Sequence, residues 1–167
     1  MEKGTSGRLV AAALAILAEN GSGAVTVRAV EAAAGVPHGS VRHHFGGLDG
    51  LRTALVVALL AAEGLGPGTA GPPGVDDLVD WWTGDGAPIA TARYEVMLMA
   101  TRDDDLRRVF LEARDVLVER VAAAGAAPRD AEALVAMLDG LVLDALLRRR
   151  PPSLEAWHEA MARATRP

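Results

Sequence analysis

Residues 26–45 run TVRAVEAAAGVPHGSVRHHF. Thr26 suits a helix N-cap, because its hydroxyl can accept a hydrogen bond from a first-turn amide. Val27 and Val30 give an apolar side to a helix over 27–34, and Gly35 suits the left-handed residue that closes it. Val36, before a proline, is biased to extended backbone. Pro37 fits the first position of a third helix running to about Phe45. Two short helices joined by a glycine-bearing turn make a helix-turn-helix. In the second, Val41 and Phe45 lie four apart on a buried side, which leaves His38, Arg42 and His43 outward. Gly39 and Ser40 are small enough to let backbone approach a surface closely.

Upstream, Leu9, Ala12, Ala13, Ile16 and Leu17 repeat at helical spacing until Gly21 stops them. Helices this short are marginal alone. Leu9, Leu14, Ile16, Leu17, Val27, Val30, Val36, Val41 and Phe45 can share one core. Downstream, a fourth helix over about 48–63 carries Leu51, Leu55, Val56 and Leu59 on one side. GLGPGTAGPPG, residues 64–74, is a loop and the clearest boundary in the chain. Five further helical patterns follow at about 75–83, 88–101, 104–124, 128–149 and 154–165. Asp103 and Ser153 suit N-caps; Pro88 and Pro128 suit first turns. No segment alternates long enough for a strand. The expected fold is all-α, about nine helices, with a head over 1–47 and a helical body over 48–167.

The chain has 167 residues and no cysteine, so disulfides, thiolate nucleophiles and cysteine-based zinc sites are excluded. That fits a reducing cytoplasm. No apolar run approaches the roughly 20 residues of a membrane span. The opening MEKGTSGRLVAAALAILAENG has a helical period and a polar end, unlike a secretion signal. The net charge is −5, but unevenly spread: residues 1–52 carry +1 and three of the four histidines, residues 53–167 carry −6. Only the head is a plausible partner for a polyanion. The head histidines are spaced five, six and one apart, which misses the i,i+3 or i,i+4 spacing of helical metal pairs. Neither a phosphate-binding glycine loop nor a Ser/His/Asp signature is present, so no metal, cofactor or enzymatic role is expected.

A recognition helix entering a DNA major groove accounts for the outward side chains of 38–43. Arg42 can bind guanine or phosphate, and the histidines can reach phosphates or base edges. The expected DNA-contacting set is Thr26, Arg28, Pro37, His38, Gly39, Ser40, Arg42 and His43. His44 is expected to lie partly buried against the first helix.

The run TVRAVEAAAGVPHGSVRHHFGGLDGL resembles the TetR family of transcriptional regulators, with Gly35, Val36, Ser40, Val41, His44, Phe45 and Leu51 in register. Two departures stand out: Arg42 replaces a usual Tyr, and Leu48 replaces a usual Lys that touches phosphate. Farther on, RYEVMLMATRDDDLRRVF and LDGLVLDALL match more loosely. The resemblance implies a dimeric, ligand-responsive regulator, in most cases a repressor, on a palindromic operator of double-stranded DNA. The alternative is a helical small-molecule sensor or carrier with weak or lost DNA binding, which the missing lysine favours.

The body concentrates Trp81, Trp82, Tyr94, Met97, Met99, Phe110 and Met137. The resemblance implies an effector pocket here, with Trp82, Tyr94, Met97 and Phe110 as wall. Few charges are expected to face it, so the effector is expected to be mainly apolar; Arg93 or Arg114 suits an anion anchor. Glu95, Asp103–Asp105, Asp139 and Asp144 are expected to be caps or solvated faces. The 128–149 helix carries a wide apolar stripe, and Gly140 within it costs about 1 kcal/mol against alanine unless backbones approach there. With the last helix it makes the expected homodimer face: Leu134, Leu138, Gly140, Leu141, Ala145, Trp157 and Met161.

Overall fold

The computed structural model describes residues 4–65 and 74–164. These residues form nine α-helices and no strand, as the periodicities imply. The proposed loop 64–74 falls mostly on 66–73, outside the described residues.

Helix α1 (Thr5–Asn20) buries Leu9, Ala13 and Leu17, four residues apart, and ends at Gly21, whose φ of 77° suits glycine. A 3-10 turn, Ser22–Ala24, leads to α2 (Val27–Ala33). Thr26 caps α2 as expected: its hydroxyl oxygen accepts from the Ala29 N–H at 3.2 Å. The third helix differs from expectation. It spans only Ser40–Phe45, because Gly39 adopts φ 87° and Pro37–Ser40 closes a separate turn. Within that turn both the amide and the hydroxyl of Ser40 donate to the Pro37 carbonyl, at 3.3 and 2.6 Å.

Helix α4 (Leu48–Ala62) follows two glycines with positive φ. Its first turn sits so close to the end of α3 that a Cβ on Gly50 would lie 2.0 Å from the Phe45 carbonyl oxygen. Any side chain there would push α3 off α4. The body continues with α5 (Val75–Thr83), α6 (Ala87–Ala100), α7 (Asp104–Ala123), α8 (Pro128–Arg148) and α9 (Glu155–Ala164). Asp103 caps α7 by accepting from the Leu106 N–H at 3.1 Å. Helix α9 starts too late for Ser153 to be its cap residue.

One apolar core runs from head to body. Helix α4 lies at its centre, burying Leu51, Leu55, Val56, Leu59 and Leu60 against α1, α6 and α7. Full burial of such a side chain contributes about 1.5–3 kcal/mol. Two helices, α4 and α6, therefore reach from the head into the middle of the body. On α6, Glu95 accepts from the Ser22 N–H at 3.2 Å and so docks the α1–α2 turn. That corrects the expectation of a solvated Glu95.

Candidate DNA-binding and effector sites

On the head, Thr26, Arg28, Pro37, His38, Gly39, Arg42 and His43 are exposed and Ser40 is half-buried. Val41 is fully buried, and Phe45 packs against the core. Arg28 and Arg42 make no ion pair among the described residues. His44 is exposed rather than tucked against α1: α3 is a single short helix, and its ring stacks edge-on with His43, centroids 4.9 Å apart. Leu48, in place of a lysine, packs against the core at the start of α4.

The residue that sequence reading missed is Glu31, 2% exposed. One carboxylate oxygen accepts from the Val41 N–H at 3.0 Å; the other lies 3.2 Å from Nδ1 of His38. These bonds, the Val41 amide foremost, hold the carboxyl below its usual range despite burial. Glu31 thus ties α2 to the first turn of α3 and fixes the His38 ring, leaving Nε2 free. A signal was present: Glu31 stands four residues after Val27, on the buried side of α2.

In the body, the four proposed wall residues do not enclose one apolar cavity. Trp82 and Phe110 are buried, Tyr94 and Met97 half-buried. Met97 and Phe110 share a small cleft of about 240 Å³ with Thr101, Arg107, Leu111 and Arg114. Behind Phe110 lies Arg93, 2% exposed. Its guanidinium carbon sits 5.0 Å from the Trp82 ring centroid and 5.2 Å from that of Phe110. Arg93 Nη2 donates to Asp139 Oδ1 at 3.1 Å, and Nη1 lies 3.7 Å from Glu63 Oε2. Asp139 also pairs with Arg114, and its backbone carbonyl accepts from the Tyr94 hydroxyl at 2.7 Å. Trp82 Nε1 donates to Glu63 Oε1 at 2.9 Å.

Two acids and two arginines therefore occupy the middle of the body, where few charges were expected. Glu63, at the C-cap of α4, is 1% exposed. Burial pushes its pKa up to about 7 in spite of Arg93 and the Trp82 hydrogen bond. Its Oε2 makes no hydrogen bond. Burial, with Asp139 nearby, likewise raises the Tyr94 phenol. Asp139 is no solvated face; it is the shared acid of both arginines. A wider depression lies elsewhere, an open trough of about 1110 Å³ between α1 and α4 lined by alanines and other apolar residues. It holds no converging polar groups, so the charged box is the better candidate for selective binding.

The proposed dimer residues divide. Leu134, Leu138, Ala145 and Trp157 are buried within the protomer, and Leu141 and Met161 are half-buried. They serve mainly the chain's own core, because α5, α7 and α9 pack on that side of α8. Gly140 is exposed, with nothing within 4 Å of an added Cβ. Ala133, Ala136, Gly140, Leu143 and Leu147 form the exposed stripe of α8, spaced three and four residues apart. Leu147 is 75% exposed. Arg148 pairs with Asp144 at 2.8 Å, a surface pair at the end of α8. No described helix is long and apolar enough to cross a membrane.

Residues 9–55 match the family model of bacterial regulatory proteins of the tetR family. Residues 73–167 match that of the tetracyclin repressor-like C-terminal domain. Among solved structures, the multidrug binding protein EbrR complexed with ethidium is 28% identical, with TM-score 0.77 over 96% of this chain and 98% of that one. A TetR-family member from Streptomyces coelicolor, SCO1917, is 29% identical, with TM-score 0.76 over 97% and 98%. A transcriptional regulator from Rhodococcus, 23% identical with TM-score 0.71 over 97% and 94%, shares the fold. No curated protein matches the chain in sequence.

Proposed function

The chain belongs to the tetR family of bacterial regulatory proteins, and from that premise we propose that it is a ligand-responsive repressor that binds a near-palindromic operator as a cytoplasmic homodimer. Residues 1–47 are its DNA-binding head and 48–167 its effector and dimerisation body. The observation that carries this is the recognition helix. Arg42 and His43 stand in solvent while Val41, between Ser40 and Arg42, is fully buried, so the outward direction is fixed. Arg28 and Thr26 flank it at the start of α2, where an N-terminus favours phosphate.

The dimer forms through the outer stripe of α8 from Ala133 to Leu147, with α9 beside it. Gly140 lets two such helices approach closely. The pair of recognition helices then lies roughly 34–36 Å apart, one DNA turn.

The effector site is the charged box. EbrR has been solved with imidazole, proflavin, ethidium and malachite green, of which the last three are aromatic dye cations. Here two acids and two facing rings surround a guanidinium, so a flat cation fits better than the mainly apolar effector expected from sequence. Glu63 ends α4, and the other end of α4 follows the recognition helix, roughly 22 Å away at 1.5 Å per residue. A ligand that binds one placement of α4 better than another shifts the population of head spacings. Where the favoured spacing misfits the groove, DNA is released.

Selection from random DNA, followed by binding across a salt series, tests the reading. A palindrome whose binding weakens steeply with salt is expected. Recovery of no sequence, with salt-insensitive binding, would favour the carrier alternative, to which Leu48 and the neighbouring Asp49 would then point.

A further inference from the structure

Arg93 is packed as a ligand would be. Its guanidinium carbon stands 5.0 Å from one ring centroid and 5.2 Å from another, on different helices. Two carboxylates from two more helices approach it, Glu63 at the C-terminal end of α4 and Asp139 in the middle of α8. All of its charged group is sequestered, yet one of those acids is only loosely engaged. Glu63 Oε2 lies 3.7 Å from Arg93 Nη1, beyond hydrogen-bond reach, and finds no other donor although it is buried. Asp139, by contrast, is doubly held, by Arg93 and by Arg114. The slot is thus built for a flat cation, and its present occupant leaves one acid oxygen unsatisfied. An outside cation with an N–H placed differently could satisfy it.

Phe110 lines an outer cleft with Met97 and Arg114, while Arg93, which packs on its ring, is not among the residues that line that cleft. Phe110 is therefore the partition between solvent and the slot. Arg114 stands beside that partition and can keep Asp139 paired when Arg93 leaves. We propose that Arg93 is an internal ligand: it fills the Trp82–Phe110 slot of the free protein, and a flat cationic effector binds by displacing it. The proposal rests on the reading of the box as the effector site, and it adds how that site is kept shut. It also gives the site selectivity. A cation must offer both a stackable plane and a hydrogen bond to Glu63 to outcompete a tethered guanidinium; a merely apolar ring gains nothing from the two acids.

The test removes the internal ligand and offers a free one. In Arg93→Ala, millimolar guanidinium chloride should raise the thermal midpoint, and equal sodium chloride or urea should not. Ethidium, followed by fluorescence on the protein alone, should bind Arg93→Ala at least about tenfold tighter than the unchanged chain, and guanidinium should compete with it. Should Arg93→Ala fail to fold, Arg93→Gln, which keeps the aliphatic stem but withdraws the guanidinium from between the rings, should show a gain in dye affinity in the same direction. Dye binding that is equal or weaker in the folded variant, with no rescue by guanidinium, would overturn the proposal. Dye binding by the unchanged chain alone would keep the effector reading and reject displacement. Rescue by guanidinium with no dye bound by any of the proteins would instead reject the effector reading on which displacement rests.

Discussion

The arginines of the head and those of the body live in opposite surroundings. Arg28 and Arg42 stand in solvent without an acidic partner among the described residues. Arg93 is 2% exposed between two rings and two acids, and Arg114 shares one of those acids. An exposed arginine adds little to folding and is free to meet a polyanion. A buried one is held in place by costs: removing its partner leaves a charge with nothing to replace water. The comparison teaches where substitutions should register. At the exposed arginines of the head they should change binding and leave stability alone; in the charged box of the body they should change stability and, through α4, binding.

The largest effect is expected at Asp139. Asp139→Ala leaves Arg114 without its acid and Arg93 with only the more distant Glu63, and should cost about 3–5 kcal/mol in chemical denaturation. A loss below about 1 kcal/mol would mean that solvent reaches the box and that the contrast with the head is overdrawn.

Next comes Glu63→Gln, whose effect depends on pH. The folded chain holds the Glu63 proton to about 7, against 4.5 for an ordinary carboxyl. The folded state therefore binds more protons than the unfolded one between those values. Stability from this group is present in acid, falls as pH rises through that window, and stays low above it. Glu63→Gln mimics the protonated form, so it should match the unchanged chain near pH 5 and exceed it by about 2–3 kcal/mol near pH 8. Parallel stability curves from pH 5 to 8 would remove Glu63 from the account.

Arg42→Ala sharpens the other side. It should weaken operator binding by about 1–3 kcal/mol if Arg42 meets a base edge, while denaturation midpoints stay within about 0.5 kcal/mol. The smallest effect is expected at Thr26. Thr26→Ala deletes the cap of α2 and should cost about 1 kcal/mol of stability. It blurs the comparison least, since a cap is local to its own helix.

The same contrast explains what the sequence disclosed. The head's surface was legible because neighbours in space there are neighbours in sequence. Val41 and Phe45 fix inside, so His38, Arg42 and His43 fall outside by spacing alone. The length of α3 was misjudged because Pro37 permits a helix start, whereas Gly39 at φ 87° forbids one. All nine helices were legible from periodicity and caps. The box was legible only in part. Trp82 and Phe110, as wall, and Arg93 or Arg114, as an anion anchor, came with the resemblance, whereas Glu63 was not singled out and Asp139 was read as a cap or solvated face. The six residues come from five helices, no spacing in the chain brings them together, and an isolated acid in a helix reads as solvated, because most are. On α8 the strongest sequence signal and the surface part company: Leu134 and Leu138, the apolar residues that mark the helix most strongly, are buried in the protomer's own core, and the smaller Ala133, Ala136 and Gly140 are left outside.

One link joins effector to operator: from a cation in the box, along α4, to the spacing of two heads. The chain has no cysteine, so Ala33→Cys, exposed on α2, places a single spin label on each protomer. The distance between the two labels, measured by pulsed electron resonance with and without saturating ethidium, should be a single dimer distance that shifts by several ångström when dye binds. A distance that stays fixed while the dye is bound, or a chain that shows no second label at all, would contradict it.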